Sequence, residues 1–83
     1  MYYVYVLKSL KDDGLYTGFT EDLRQRLEDH NAGRNSSTKM RIPLRLVYYE
    51  ACRNRADALH RERYLKTAWG KRYLKQRLKH DSK

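Results

Sequence analysis

The sequence predicts an α/β (α+β) fold in which a small three-stranded sheet is flanked by helices, in the order ββαβαα. Three segments rich in β-branched and aromatic residues predict the strands, and stretches with helical periodicity predict the helices. Packing helices against a three-stranded sheet is the simplest way to bury such a pattern. Because 83 residues allow one small core, we predict a single domain over residues 1–83.

The first two strands are predicted to form a hairpin. Tyr2–Leu7 alternates weakly and is rich in β-formers. Lys11–Gly14 ends in Asp-Gly, which is typical of a tight turn, and Leu15–Phe19 then returns antiparallel to the first strand. Gly18 inside the second strand permits close approach of another group.

The first helix is predicted to end at about His30. Thr20 suits the N-cap, and the acidic pair Glu21–Asp22 suits the positive end of a helix. Asn31–Gly33 predicts the end of the helix. Residues 33–43, which contain Gly, Asn, Ser and Pro, are predicted to be a loop.

The second half of the chain predicts one strand and two helices. Leu44–Ala51 is the third strand, and Asn54 suits the N-cap of a second helix. That helix is predicted to include Trp69 and to be interrupted at Gly70. A third, basic helix over Lys71–Leu78 is predicted to end in a frayed tail.

The charge of the chain is strongly uneven. The net charge is +9, but residues 1–31 hold four Lys and Arg against six Asp and Glu, a net of −2. Residues 32–83 hold fifteen Lys and Arg against four Asp and Glu, a net of +11. Such asymmetry indicates a polyanionic partner, nucleic acid first and anionic membrane second. The alternative is a basic protein with a solvated charged surface.

Several classes of protein are disfavoured by what the sequence lacks. No apolar run approaches the ~20 residues of a membrane span. The single cysteine, Cys52, cannot form an internal disulfide, which fits a reducing compartment and predicts a cytoplasmic location. The sequence has neither the paired Cys and His spacing of a zinc site nor a Gly-rich phosphate loop.

Two polar side chains of the first helix lie next to its apolar stripe. At about 100° per residue, Arg26 and His30 flank the stripe formed by Leu23 and Leu27. Arg26 is suited to gripping an oxyanion, although an ion pair with Asp22 is the alternative. His30 lies where the helix dipole favours its charged form, and the alternative is a cap or a solvated residue.

Glu62 is predicted to point toward apolar neighbours on the second helix. The helical phase places it near Ala58, Leu65 and Trp69. A carboxylate turned toward a core is costly unless a cation balances it. Mg²⁺ or Mn²⁺ is one such cation, and an i, i+4 pair with Lys66 is the alternative.

The order of these residues resembles the core of the GIY-YIG nuclease superfamily. Tyr5 ends the run Tyr3-Val4-Tyr5, and Tyr16 begins Tyr16-Thr17-Gly18 after ten intervening residues. Arg26 follows ten positions after Tyr16, and His30 four positions after Arg26. The resemblance covers roughly residues 2–70. It is closest to the small stand-alone bacterial members related to the nuclease domain of excinuclease C.

The resemblance implies an endonuclease that hydrolyses DNA phosphodiester bonds with one divalent metal, Mg²⁺ or Mn²⁺, in DNA repair or recombination. It implies that Glu62 binds the metal and that Arg26 stabilises the transition state. Tyr5, with Tyr16 or His30, would deprotonate the attacking water. The alternative is a non-catalytic nucleic-acid-binding module that keeps the fold.

DNA is the expected partner, held mainly through its phosphate backbone by the basic loop and the last helices. The residues expected to contact it are Arg34, Lys39, Arg41, Lys66, Lys71, Arg72 and Lys75.

The chain departs from the family pattern in both triplets and after Glu62. Tyr3 stands where the family has the glycine of its first triplet, the second triplet reads Tyr16-Thr17-Gly18, and no asparagine follows Glu62. The sequence also shows no separate DNA-targeting domain. We therefore expect an activity that is weak, structure-selective or dependent on a protein partner.

Overall fold

A three-stranded antiparallel sheet organises the computed structural model of this chain, in which residues 1–81 are described. The strands are β1 (Tyr2–Ser9), β2 (Leu15–Thr20) and β3 (Leu44–Cys52). The helices are α1 (Leu23–Asn31), α2 (Arg55–Leu65) and α3 (Ala68–Arg77). β1 lies in the centre and pairs with both neighbours, in the order β2-β1-β3. The predicted ββαβαα order and fold class are confirmed.

Both faces of β1 are buried, which explains why its sequence alternates only weakly. Val4 and Val6 pack with Leu65 of α2 and with α3 on one face of the sheet. Tyr5 and Leu7 pack on the opposite face, against α1. All four β1 side chains are at most 1% exposed. A strand covered on both faces needs apolar residues at every position.

The predicted hairpin is confirmed, but its loop is longer than a tight turn. β1 continues to Ser9, and the backbone N–H of Ser9 donates to Gly14 O at 2.9 Å. The five residues 10–14 therefore form the connection, with Asp13 at a positive φ of 61°. Asp tolerates this left-handed conformation better than most residues do.

Helix α1 begins two residues later than predicted. Thr20 is the last residue of β2, and its hydroxyl accepts from the Asp22 backbone N–H at 3.1 Å. Asp22 is the N-cap, because its carboxylate accepts from the Gln25 N–H at 3.0 Å. The predicted stop is confirmed, since Gly33 has a left-handed φ of 77°.

The boundary between α2 and α3 differs from the prediction. Asn54 caps α2 as expected, but α2 ends at Leu65 and Thr67 caps α3 by accepting from the Gly70 N–H. Gly70 lies inside α3 and does not interrupt a helix. A Cβ there would lie 2.7 Å from the Leu65 carbonyl carbon and closer still to Tyr64 O. The glycine therefore lets α3 pack directly on the end of α2.

The prediction that Trp69 belongs to the second helix is wrong, because α2 ends at Leu65. It belongs to the first turn of α3, so the helical phase of α2 does not extend to it. Its side chain is 67% exposed and does not pack beside Glu62 in the core.

The described residues after α3 are held against the sheet by an ion pair and a hydrogen bond. Asp81 forms an ion pair with Arg45 of β3 at 3.2 Å, and its backbone carbonyl accepts from Lys8 at 3.1 Å. These contacts tie Asp81 to the sheet, while the frayed tail stays a prediction and residues 82 and 83 lie outside the described residues. Within residues 1–81, no helix is long and apolar enough to cross a membrane.

Candidate active site

The Tyr5 ring lies directly over Gly18 of the neighbouring strand. The two residues are paired across β1 and β2, and Tyr5 is 1% exposed. A Cβ at position 18 would lie 3.0 Å from Tyr5 Cε1 and closer still to its Cζ and hydroxyl. The close approach predicted for Gly18 is therefore that of Tyr5. The missing side chain lets the phenol cross β2 toward the edge of the sheet.

The Tyr5 hydroxyl is one end of a buried hydrogen-bond chain. It lies 2.9 Å from His30 Nε2, and His30 Nδ1 lies 2.7 Å from the Thr38 hydroxyl. His30 and Thr38 are both fully buried. The imidazole therefore joins β1 to the loop that follows α1, and both of its ring nitrogens are satisfied.

Burial controls the ionisation of this chain. It raises the pKa of Tyr5 to about 12, against favourable hydrogen-bonding and charge interactions with Arg26. The neighbouring Tyr16 and Glu62 add to the rise. Burial, followed by the Arg26 charge, lowers the pKa of His30. The prediction that the helix dipole favours charged His30 is therefore wrong, because desolvation and Arg26 dominate.

Tyr16 connects this chain to the surface. Its ring lies 6.5 Å from the Tyr5 ring and 5.2 Å from the His30 ring, measured between centroids. It is half-buried and lines a cavity of about 570 Å³ at the β2 edge. Thr17 and Lys66 line the same cavity. Tyr16 is thus the less buried tyrosine of the pair.

Arg26 approaches β2 from α1. Its guanidinium donates to the Phe19 carbonyl at 3.4 Å and lies close enough to Tyr5 to lower its pKa. Asp22 is engaged as the N-cap of α1, so the alternative i, i+4 pair is not what holds Arg26. The guanidinium is half-buried beside the tyrosine pair. This position suits binding of an oxyanion at the β2 edge.

Glu62 reaches the same edge from the other side of the sheet. Helix α2 covers the face opposite Tyr5, yet the Glu62 charge still raises the pKa of Tyr5. Its carboxylate is 18% exposed and pairs with Lys66 at 3.1 Å. The ion pair considered in the sequence is therefore present. Lys66 lines the cavity beside Tyr16, so its partner Glu62 approaches β2 from the α2 face. Tyr5, Tyr16 and α1 lie on the opposite face.

The residues expected to hold phosphate fall into two groups. The first group already has an intramolecular partner: Arg34 pairs with Asp29, Arg41 with Asp12, Lys66 with Glu62, and Arg72 lies over the Trp69 ring. Lys39, Lys71 and Lys75 form the second group, and all three are exposed.

Lys71 and Lys75 lie along one groove beside the candidate site. Lys71 lines the cavity next to Tyr16 and also a second cavity of about 510 Å³. Lys75, Lys79 and Lys8 line that second cavity. Lys71 and Lys75 therefore lead away from the β2 edge along α3. Asp13 and Asp81 also line the second cavity, and Asp81 pairs with Lys8. Arg34 and Arg41 lie on the separate loop after α1, so the predicted basic residues do not form one continuous surface.

Comparison with known proteins identifies the family. The GIY-YIG catalytic domain family matches residues 1–79. This chain belongs to the GIY-YIG family. It is 46% identical over 67 residues to a UPF0213 protein of Clostridium perfringens, covering 80% of this chain and 71% of the relative. It is 40% identical over 75 residues to a UPF0213 protein of Staphylococcus saprophyticus, covering 89% and 90%.

A solved structure supports the same membership. The solution NMR structure of a UPF0213 protein from Bacillus halodurans matches with a TM-score of 0.55 and 35% identity. The match covers 89% of this chain and 82% of that structure. The resemblance inferred from the tyrosine spacing is thus confirmed, and the chain is a small member of a nuclease-like family. The roles of its individual residues stay predictions.

The resemblance to GIY-YIG nucleases implies a divalent metal, and the acidic side chains decide whether the site fits one. Across residues 1–81, no group of three or more His, Cys, Asp or Glu side chains is arranged to hold a metal ion. Glu62 is a partly exposed carboxylate whose negative charge is balanced by Lys66. Mg²⁺ keeps several waters and is often bound by one or two carboxylates plus substrate phosphate. A single carboxylate such as Glu62 fits that chemistry and would hold the metal, which would supply positive charge beside a substrate phosphate.

Thr38 is the member of this GIY-YIG site that the sequence did not indicate. It lies just before the 3₁₀ turn Lys39–Arg41, and its carbonyl accepts from the Arg41 N–H at 2.8 Å. The turn fixes its hydroxyl against His30. A threonine in a polar, Ser-rich loop carries no signal of burial, so only the tertiary structure reveals this contact.

Proposed function

We propose that this GIY-YIG protein is a metal-dependent endonuclease that hydrolyses DNA phosphodiester bonds. The observation that carries the proposal is the Tyr5–Gly18 contact. It brings a tyrosine pair to the β2 edge, beside a guanidinium from α1 and a carboxylate from α2. Phosphodiester hydrolysis needs a proton acceptor, a cation and a metal ligand around one phosphate.

Arg26 would bind the phosphate whose bond is broken. A guanidinium presents several fixed N–H donors and stays charged at every physiological pH. Charge builds up on the phosphate oxygens in the transition state, so a positioned cation stabilises that state more than the ground state. The approach of Arg26 to Phe19 O supports this role, because it places the guanidinium on β2 next to Gly18.

Tyr16 is the better candidate for the group that accepts a proton from water. Sequence reasoning gave that role first to Tyr5, but Tyr5 is buried, hydrogen-bonded to His30 and has a pKa raised to about 12. Tyr16 lines the open cavity together with Lys66. We therefore assign Tyr5 to positioning, since its ring and His30 pack against Tyr16.

A neutral imidazole donates from one ring nitrogen and accepts at the other. In the buried chain, either the Tyr5 hydroxyl donates to His30 Nε2 while Nδ1–H donates to Thr38, or Nε2–H donates to Tyr5 while the Thr38 hydroxyl donates to Nδ1. Neutral His30 is consistent with its lowered pKa.

Glu62 would hold Mg²⁺ or Mn²⁺, which supplies Lewis-acid stabilisation of phosphate charge when bound. Lys71 and Lys75 would hold the DNA backbone in the groove along α3. Branched intermediates of repair or recombination, acted on in the cytoplasm, are the substrates we propose.

The proposal is tested by a cleavage assay on duplex, flap and four-way junction DNA with Mg²⁺, Mn²⁺ or EDTA. The wild-type protein should cut at least one substrate with metal and none with EDTA. Glu62→Gln should remove cleavage, whereas Glu28→Gln, an exposed acidic position on α1, should not. Equal cleavage by both variants would reject Glu62 as the metal ligand.

A non-catalytic nucleic-acid-binding module is the second candidate. The Glu62–Lys66 pair favours it, because the carboxylate already has a cation without any metal. This candidate predicts DNA binding that is unaffected by Mg²⁺ and no cleavage of any substrate in the same assay.

A further inference from the structure

The start of α3 carries an aromatic side chain that folding does not require. Trp69 is 67% exposed, while α3 is anchored by buried Gly70 and Leu74. Large aromatic residues contribute most to stability when their apolar surface is buried. The exposed Trp69 ring therefore contributes little to the stability of the fold. Most of this flat ring faces solvent.

A cation holds this ring from one side. The Arg72 guanidinium lies 5.0 Å from the centre of the Trp69 ring. Such cation–π contacts contribute to ring orientation without covering both faces. The ring is therefore positioned and still accessible.

The surroundings of Trp69 are positively charged. No Asp or Glu occurs between residues 63 and 80, and this stretch contains the exposed side chains of Lys66, Lys71 and Arg72. An exposed aromatic ring in a basic surface is the combination with which proteins bind single-stranded nucleic acid. The bases stack on the ring, and the cations neutralise phosphates.

We propose that Trp69 is a stacking site for an unpaired DNA base. The proposal rests on the proposed function and specifies its substrate, since bases of an intact duplex are stacked on one another and present only their edges. Lys66 and Trp69 are three positions apart, so their Cα atoms are at most ~11 Å apart. At ~3.4 Å per stacked nucleotide, that distance spans at most about three nucleotides between the base on Trp69 and a phosphate near Lys66. The preferred substrate then has single-stranded DNA next to the cleavage point.

The single tryptophan of the chain makes the test direct. Emission of Trp69, excited where tyrosine does not absorb, is followed while a single-stranded oligothymidylate is added in EDTA. Three matched probes are compared: the oligothymidylate, an abasic oligomer of the same length, and a blunt duplex. We expect strong quenching by the first and little by the other two. Trp69→Ala should weaken single-strand binding about 5-fold to 150-fold, measured by anisotropy of labelled DNA.

Two controls separate stacking from charge and from folding. Trp69→Phe keeps an aromatic face and should retain most of the single-strand affinity, while duplex affinity should be equal in all three proteins. Equal quenching by the abasic and thymidylate oligomers would overturn the proposal, as would wild-type single-strand affinity in Trp69→Ala. Because binding is measured without metal, such a failure leaves the nuclease proposal standing. If no cleavage is seen but quenching still depends on the presence of bases, the nuclease proposal alone is rejected.

Discussion

Substituting Gly18 with alanine is the sharpest perturbation of the tyrosine site. The new methyl carbon would lie 3.0 Å from Tyr5 Cε1 and closer to Cζ and the hydroxyl. Carbon atoms prefer separations of about 3.5–4.0 Å, so the ring must retreat by roughly 1 Å. Tyr5 is packed against Leu7 and Leu44 in the core, which leaves it no free space.

The cost follows from two contributions. Overpacking of a core typically costs about 1–3 kcal/mol. Displacing the Tyr5 hydroxyl from its 2.9 Å hydrogen bond with His30 adds about 1 kcal/mol. We therefore expect Gly18→Ala to lower the free energy of unfolding by about 2–4 kcal/mol. Cleavage should fall about 100-fold as well, because a 1 Å misplacement disturbs catalytic geometry.

Urea unfolding measures the stability change, and Gly14→Ala is the matched control. A methyl at position 14 would meet mainly the end of the Arg41 side chain, which is flexible and can move aside. Gly14→Ala should therefore cost less than about 1 kcal/mol. In a Tyr5→Leu background the penalty of Gly18→Ala should largely disappear, since the two sites are in contact. Equal stabilities of the Gly18 and Gly14 variants would refute the described contact.

Three further predictions concern chemistry, binding and pH. Arg26→Ala should lower the rate of single-turnover cleavage about 100-fold to 1000-fold while DNA affinity stays nearly unchanged. Arg24→Ala, on the exposed side of α1, should cleave like the wild type. Equal losses of cleavage in both variants would remove Arg26 from the site. Changing Lys71 and Lys75 together to Glu should weaken binding to all DNA sequences alike and flatten the salt dependence of the affinity in a filter-binding titration. If the slope of affinity against salt concentration is unchanged, the DNA-binding surface is instead the loop after α1. Neutral, buried His30 has a pKa below its unfolded value of about 6.5, so stability should be lost as pH falls from 6.5 through the lower folded pKa. Chemical denaturation at several pH values should show this loss in the wild type and not in His30→Gln.

The strands and their order could be predicted because local signals and packing agree. β-formers, the Asp-Gly turn and the Asn54 cap each act within a few residues of where they occur. The α2–α3 boundary could not be predicted in this way. Gly70 normally weakens a helix, but here its missing side chain serves a contact with the end of α2. That requirement arises only once the helices pack.

The membership of the candidate site stays a prediction, and its arrangement could be predicted only in part. Tyrosine spacing, helical phase and the family resemblance indicate Tyr5, Tyr16, Arg26 and Glu62 as candidates. They do not show that Glu62 reaches the β2 edge from the opposite face of the sheet. The state of His30 also depended on burial, which a position near a helix end does not reveal.

Metal binding at the β2 edge is the central claim, and Mn²⁺ titration followed by NMR tests it most directly. Mn²⁺ broadens the signals of nearby amides, so no cleavage and no contaminating nuclease enter the result. We expect the amides of Gly18 and Lys66 to broaden first, and we expect this effect to disappear in Glu62→Gln. Broadening centred elsewhere, or unchanged in Glu62→Gln, would contradict a metal site formed by Glu62 beside the tyrosine pair.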